Sequence, residues 1–168
     1  MIKKIILLFL VWRVLLFIPL IFSSIFLSPR IGYGYTLLPY FLDKSNNVLS
    51  NFLLYPFGNF DGVYYLLIAA KGYTVNAGFF PLFPLSIRIL TPNLLPFDPT
   101  QYFIAITLVS LYFLTALNVF YKLIRLDYKE NIAILSIFFL LIFPTSFFYA
   151  SIYSESLFLL LSLLTFYF

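Results

Sequence analysis

Polar and apolar positions along this chain separate into long blocks rather than alternating. Lys3 and Lys4 precede an apolar run from Ile5 to Leu27, with Arg13 the charged residue inside it. Its 23 residues make about 34 Å of helix, enough to cross a hydrocarbon core of about 30 Å. The run exceeds the roughly 7–15 apolar residues of a secretory signal and lacks an Ala-x-Ala cleavage site, so it predicts a retained first span. Residues 28–98 differ in kind. Pro29, Gly32, Gly34, Pro39, Asp43, Lys44, Pro56 and Gly58 recur before any apolar stretch grows long enough to cross. Phe, Tyr and Leu persist between them, which predicts a large loop with helices lying on or partly in the membrane interface.

A second span is predicted from about Gln101 to Tyr121, then a polar stretch, Lys122 to Asn131, and a third apolar run from Ile132 to about Phe148. Pro144 interrupts that run and predicts a kink or the helix end. The last run, Ser156 to Phe168, is 13 residues, about 20 Å, and reads as a fourth span cut short. Residues 1–168 are accordingly expected to be the N-terminal part of one longer transmembrane domain, an all-α polytopic membrane protein.

Composition strengthens this reading. Hydrophobic residues make up 63% of the chain and charged residues 10%, against roughly 45–50% and about 25% in soluble domains. A water-soluble enzyme is excluded, and 23 Phe with 14 Tyr exclude disorder. The net charge of +4 bears on topology, not on nucleic acid. Lys3, Lys4, Lys122, Arg125 and Lys129 crowd two short segments, whereas Arg30, Lys44, Lys71 and Arg88 are spread over the 71 residues of the long loop. The N-terminus is therefore expected inside, with the loop 28–98 on the outer or lumenal side. The absence of Cys and His removes disulfides, thiolates, Ser-His catalysis and His or Cys metal ligands. Chemistry is left to Asp, Glu, Tyr, Ser, Lys and Arg, and no cofactor or metal is expected.

The most informative stretch is Asn59 to Tyr73. As a helix it sets Asp61, Tyr64, Tyr65 and Ile68 on one face, with Gly72 as its C-terminal stop. Asp61 is either a helix N-cap or first-turn acid, or a membrane-surface carboxylate framed by aromatics and available as a general base. The readings are compatible, because a base fixed at a helix start is a positioned base. Glu155 falls in the first turn of the last helix, with Ser154 as its expected cap. Arg13 lies about 12 Å into the first span. Such a residue faces a bundle interior or polar cavity, and either an ion pair with a helix beyond this chain or a lipid phosphate would suit it. Lys71 and Arg88, in the outer loop, are better placed for a phosphate than Arg13, although surface snorkelling is the simpler account of both.

Three sequence blocks carry a resemblance. Phe60-Asp61-Gly62-Val63-Tyr64-Tyr65 with Ile68-Ala69 and Gly72-Tyr73 comes first. Phe79-Phe80-Pro81-Leu82-Phe83-Pro84-Leu85 follows, and then Phe143-Pro144-Thr145-Ser146-Phe147-Phe148 with Tyr153-Ser154-Glu155-Ser156-Leu157-Phe158. In this order they resemble the conserved segments of the GPI mannosyltransferase 2 family, the PIG-V-like mannosyltransferases, and their prokaryotic relatives. Phe60, Tyr64 and Phe83 depart from that family's Trp, His or Trp, and Tyr. The resemblance implies a GT-C-type glycosyltransferase that passes mannose from a polyprenyl-phosphate-linked donor to a glycan or glycolipid hydroxyl with inversion. It implies Asp61 as the base and Glu155 and Tyr153 as substrate contacts on the facing wall; Tyr64 and Tyr65 of the first block, and Lys71 and Arg88 by their place in the outer loop, complete the expected substrate-binding set. The membrane would be the plasma membrane in a prokaryote and the endoplasmic reticulum in a eukaryote, with the site on the extracytoplasmic or lumenal side. A lipid-linked donor also suits so apolar a chain. The alternatives are a transporter or flippase, with Arg13 and Glu155 marking its path, and a non-catalytic scaffold; no inverted repeat of broken helices favours the transporter.

Overall fold

Pro19 has no N–H to return to the carbonyl of Leu15, and the first apolar run breaks at Leu16 into α1 (Ile2–Leu15) and α2 (Phe17–Phe26). The computed structural model describes residues 2–26, 53–73 and 78–168. Residues Ile2–Ser23 form a stretch of 22 residues that is long and apolar enough to cross a membrane. The helix starts earlier than the apolar run suggests and takes Lys3 and Lys4 into its first turn, while Leu27 lies outside the described residues.

Within 53–98 the chain forms a 3₁₀ turn, Tyr55–Gly58, then α3 (Asp61–Lys71) and α4 (Leu82–Leu90). Gly72 ends α3 at φ 82°, its N–H bonded to the carbonyl of Ile68 at 2.8 Å, so the expected glycine stop is present. Arg30 and Lys44, and the expected loop segments 28–52 and 74–77, lie outside the described residues.

The second long helix, α5 (Pro99–Ile124), spans 26 residues and encloses the predicted run 101–121. Asp98 caps it by accepting from the N–H of Thr100 at 2.7 Å, and Pro99 fills the first helical position. Gln101 is fully buried yet satisfied. It accepts from the N–H of Phe97 and donates to the carbonyl of Leu66, which pins α3 to the start of α5.

The third apolar run is not one helix. It forms α6 (Glu130–Ile142), and beyond Phe143 a 3₁₀ segment, Pro144–Ala150, leaves at 87° to it. Pro144 is the cause, having no N–H to extend the ladder. The final helix, α7 (Glu155–Tyr167), packs along α5 and is apolar but only 13 residues long. Two long apolar helices can therefore cross a membrane, or three if the bent pair counts as one span, and there are no strands among the described residues.

Two adjoining buried clusters hold these elements. One gathers Leu66, Phe83, Tyr102 and Ile152 between α3, α4 and α5; the other gathers Ile5, Trp12, Phe113 and Ile137 between α1, α5 and α6. Leu7, Val14 and Phe22 point outward, as a lipid-facing surface requires. At one end Lys4 pairs with Glu130 at 3.0 Å, so the basic N-terminus and the basic α5–α6 connection share that end.

Gly58 is the tightest joint. A Cβ there would collide with the ring of Tyr102 and come within 3.2 Å of Ile152, whereas one at Gly78 meets nothing within 4 Å. Gly58→Ala should cost about 1–3 kcal/mol through overpacking, and Gly78→Ala less than about 0.5 kcal/mol. Thermal denaturation in detergent checks both; equal melting temperatures for the two variants would refute the close packing at Gly58.

Candidate active site

The approach to Asp61 is set by a turn that the sequence pattern does not announce. The Gly62 N–H bonds back to the carbonyl of Asn59 at 3.0 Å, and Phe60 between them sits at φ 50°, ψ −119°. That is the first central position of a type II′ turn, which favours glycine. Asn59 supports it by accepting from the N–H of Phe60 at 3.0 Å. Phe60 thus occupies the cap position of α3, and Asp61 is the exposed first-turn acid rather than the N-cap.

The expected face of α3 is only partly shared. Asp61 is exposed, Tyr64 half-buried, and Tyr65 and Ile68 buried. The second sequence block packs onto it. Tyr64 stacks on Phe79 at 5.4 Å between ring centres, and Tyr65 meets Phe79 and Phe83 edge-on, each at 4.9 Å.

The segment around the third block docks against the same helix at Gly62 and Tyr65. The Ile152 N–H donates to the carbonyl of Phe57 at 2.7 Å. Gly62 leaves room for that approach, since a Cβ on it would lie 3.3 Å from the Ile152 carbonyl oxygen. The Tyr65 hydroxyl donates to Ser154 Oγ at 2.8 Å. Ser154 consequently does not cap α7, contrary to the expectation: its hydroxyl serves the buried phenol, and its backbone (φ −78°, ψ −9°) is already helical.

Asp61, Tyr65, Tyr153 and Glu155 are thereby gathered into one cluster. Burial pushes the Tyr153 phenol up to about 12, helped by the negative charges of Asp61 and Glu155 and opposed by the backbone N–H of Asp61. Burial, less the hydrogen bond to Ser154, raises Tyr65 also, with Glu155 and Asp61 adding to it. Glu155 stands one residue before the apolar run 156–168 and is half-buried. Its carboxyl is raised above the ordinary range by desolvation first and by Asp61 as well, against the pull of its own backbone N–H. Next to it, the Ser156 hydroxyl is buried without a hydrogen-bond partner.

Lys71 and Arg88 are not drawn into this cluster. Lys71 lies ten residues from Asp61, about 15 Å along α3. Arg88 borders a small depression with Ile68, Gly72 and Tyr73 at that far end. Both side chains are exposed. Arg13 makes contacts that neither of its expected roles included. Its guanidinium lies 4.5 Å from the centre of the Phe57 ring and donates to the carbonyl of Ala150 at 2.7 Å, and among the described residues it has no carboxylate partner.

A cavity of about 600 Å³ opens beside the cluster, between α1–α2 and the bend at Pro144. Trp12, Leu16, Phe57 and Phe147 give it an apolar wall, and Phe60 and Tyr153 border both it and the acids. The indole of Trp12 donates to Ser146 Oγ at 3.1 Å, and Ser146 in turn donates to the carbonyl of Leu141, which fixes the wall at the bend. The roles of Phe57, Trp12, Ser146 and Ile152 were not legible from spacing; Pro144 was the one signal that pointed to this region. Among the described residues no three acids converge as a metal site would need.

A carboxylate in water, a second one half-buried across from it, two phenols and an adjoining apolar chamber suit a substrate that is polar at one end and greasy at the other. Comparison with known proteins gives this arrangement a context. No functionally curated protein and no solved structure matches the chain. The family described as Mannosyltransferase (PIG-V) matches residues 2–168, taking in all three sequence blocks and every member of the cluster. The chain therefore belongs to the PIG-V mannosyltransferase family.

Proposed function

We propose that this membrane mannosyltransferase is of the GT-C type. In this reading it moves mannose from a polyprenyl-phosphate-linked donor to a hydroxyl of a lipid-linked or glycan acceptor, with inversion, and Asp61 is the general base. The observation that carries the proposal is the position of Asp61: exposed at the start of α3, near enough to Glu155 and Tyr153 to raise both, and next in sequence to Phe60, which lines the apolar cavity. An acceptor hydroxyl must lose its proton as its oxygen attacks the anomeric carbon and the phosphate leaves with the bonding pair. Asp61 takes that proton. The cavity receives the polyprenyl chain, whose apolar bulk matches its walls. Glu155 and Tyr153 meet sugar or acceptor hydroxyls from the facing side. Tyr64 and Tyr65, packed on Phe79, form the floor. Lys71 and Arg88, at the other end of α3, are left outside the reacting centre. The transporter reading is not favoured, since the family that the chain belongs to is one of transferases.

Asp61→Asn in the full-length enzyme should leave folding and donor binding intact and lower mannose transfer by about 10²–10⁴-fold. Radiolabelled transfer in membranes checks this, and near-normal turnover would sink the assignment.

For Glu155 the measurement is paired. Glu155→Gln and Glu155→Ala should both fold and both transfer poorly; full activity in both would leave Glu155 a helix-end acid. A raised carboxyl favours the protonated form in the folded state, so its contribution to stability is present at low pH and is lost as pH rises through its folded value. The melting temperature of the wild type relative to Glu155→Gln should therefore fall as pH is raised from the acid side. A flat difference would contradict the burial.

Orientation is tested at the two ends of α5. A thiol reagent that cannot cross membranes should reach Thr100→Cys from outside and Asp127→Cys only after permeabilisation. The opposite pattern would invert the topology.

A further inference from the structure

Phe57 precedes Asp61 by four residues, and Ala150 precedes Glu155 by five. Arg13, on α1, touches both: its guanidinium covers the Phe57 ring at 4.5 Å, and its Nη1 donates to the Ala150 carbonyl at 2.7 Å. Between those two contacts the Ile152 N–H closes onto the Phe57 carbonyl at 2.7 Å. One cation thus clasps the two 3₁₀ segments that lead toward the two carboxylates.

No other feature among the described residues accounts for a charge here. Among the described residues Arg13 has no carboxylate partner; the ion pair found is Lys4–Glu130, at the end of the bundle. If only volume were needed, an apolar side chain would fill the position at less desolvation cost. Nor does the guanidinium border the apolar cavity, although its neighbour Trp12 does. What a guanidinium offers and a methionine lacks is a donor for a carbonyl and a flat cation for a ring, at the same time and in a fixed relative geometry.

We propose that Arg13 is a positioning residue for the transfer reaction: by holding Phe57 and Ala150 together it sets the gap across which Asp61 and Glu155 face the substrate. This rests on the reading of Asp61 and Glu155 given above. Arg13 touches neither donor nor acceptor; it acts through the two segments it joins.

The test needs one readout that does not depend on activity, and the chain supplies it. A Cβ at Gly62 would stand 3.5 Å from that of Ile152, within the roughly 3.5–4.5 Å over which disulfides form. In the full-length enzyme, with any other cysteines replaced, the pair Gly62→Cys and Ile152→Cys should crosslink on mild oxidation. Adding Arg13→Met should slow the crosslink severalfold. In the enzyme without the cysteine pair, Arg13→Met should lower kcat by up to about 10²-fold, the scale of an ångström's misplacement, with the KM for polyprenyl-phosphate mannose little changed. Arg13→Lys, which keeps a donor and a cation, should recover part of both. If Arg13→Met fails to fold, Phe57→Leu removes the ring beneath the guanidinium and should slow crosslinking and turnover in the same direction.

Crosslinking that is equally fast in Arg13→Met, or in Phe57→Leu where that variant stands in, overturns the proposal. So does a raised donor KM with kcat preserved, which would make Arg13 a phosphate ligand. Failure of the cysteine pair to link with Arg13 present would refute the docking itself. Failure of the base assignment looks different: Asp61→Asn would then keep turnover, while the crosslink still depended on Arg13.

Discussion

The arrangement turns on a single backbone hydrogen bond, from the N–H of Ile152 to the carbonyl of Phe57. Phe57 lies in a 3₁₀ turn and Ile152 in the connection before α7, both buried among apolar side chains, where an unpaired peptide group costs several kcal/mol. Irregular backbone survives there only when its polar groups find partners inside the protein. The bend at Pro144 satisfies this locally. Ser146 N–H bonds the Phe143 carbonyl at 2.8 Å, and its hydroxyl takes the indole of Trp12 and serves Leu141. The Ile152–Phe57 bond satisfies it across the fold, and in doing so carries the segment ending in Glu155 onto the segment ending in Asp61. Proximity of the two acids is thus a by-product of a rule about peptide groups in low dielectric.

That explains which parts of the molecule could be read from its sequence. Run length and hydropathy depend only on local order, so the long helix around 101–121 and the break at Pro144 were visible in advance. Gly72 was visible for the same reason, since a glycine after an apolar periodic stretch is a local stop signal. The break at Leu16 was not foreseen, although Pro19 lay in plain view, because the run was long enough to read as one helix. Contacts between distant segments were beyond reach. Arg13 on Phe57 and Ala150, and Tyr65 on Ser154, join residues more than forty positions apart. No periodicity encodes such pairings. The Ser154 cap failed on that account: the local rule named a good capping residue, and a distant phenol claimed its hydroxyl.

The two carboxylates at the centre differ in surroundings more than in kind. Asp61 is open to solvent at a helix start, and Glu155 is half-withdrawn beside it, each within reach of the other's charge. Environments that treat like groups unequally are how one site assigns different tasks to them. Burial raises the Tyr65 and Tyr153 phenols beside them, Tyr153 up to about 12, so both stay hydrogen-bond donors well beyond the physiological range. The Asp61 block alone would supply a charge on a surface. Its contact with the 153–158 block supplies a facing wall, and the first span supplies the greasy chamber next door.

Phe60 sets two demands against each other. Its backbone occupies a region that favours glycine, at a cost on the order of 1–3 kcal/mol, while its exposed ring lines the apolar chamber beside Asp61. A glycine would relax the turn and take that part of the wall away. Position 60 is therefore a point of local frustration, where the residue that best suits the chain is not the one that best suits the cleft. Selection for heat resistance alone, in a laboratory library or a warm habitat, would pull this position away from an aromatic, and only selection that also scores the chemistry would hold it there.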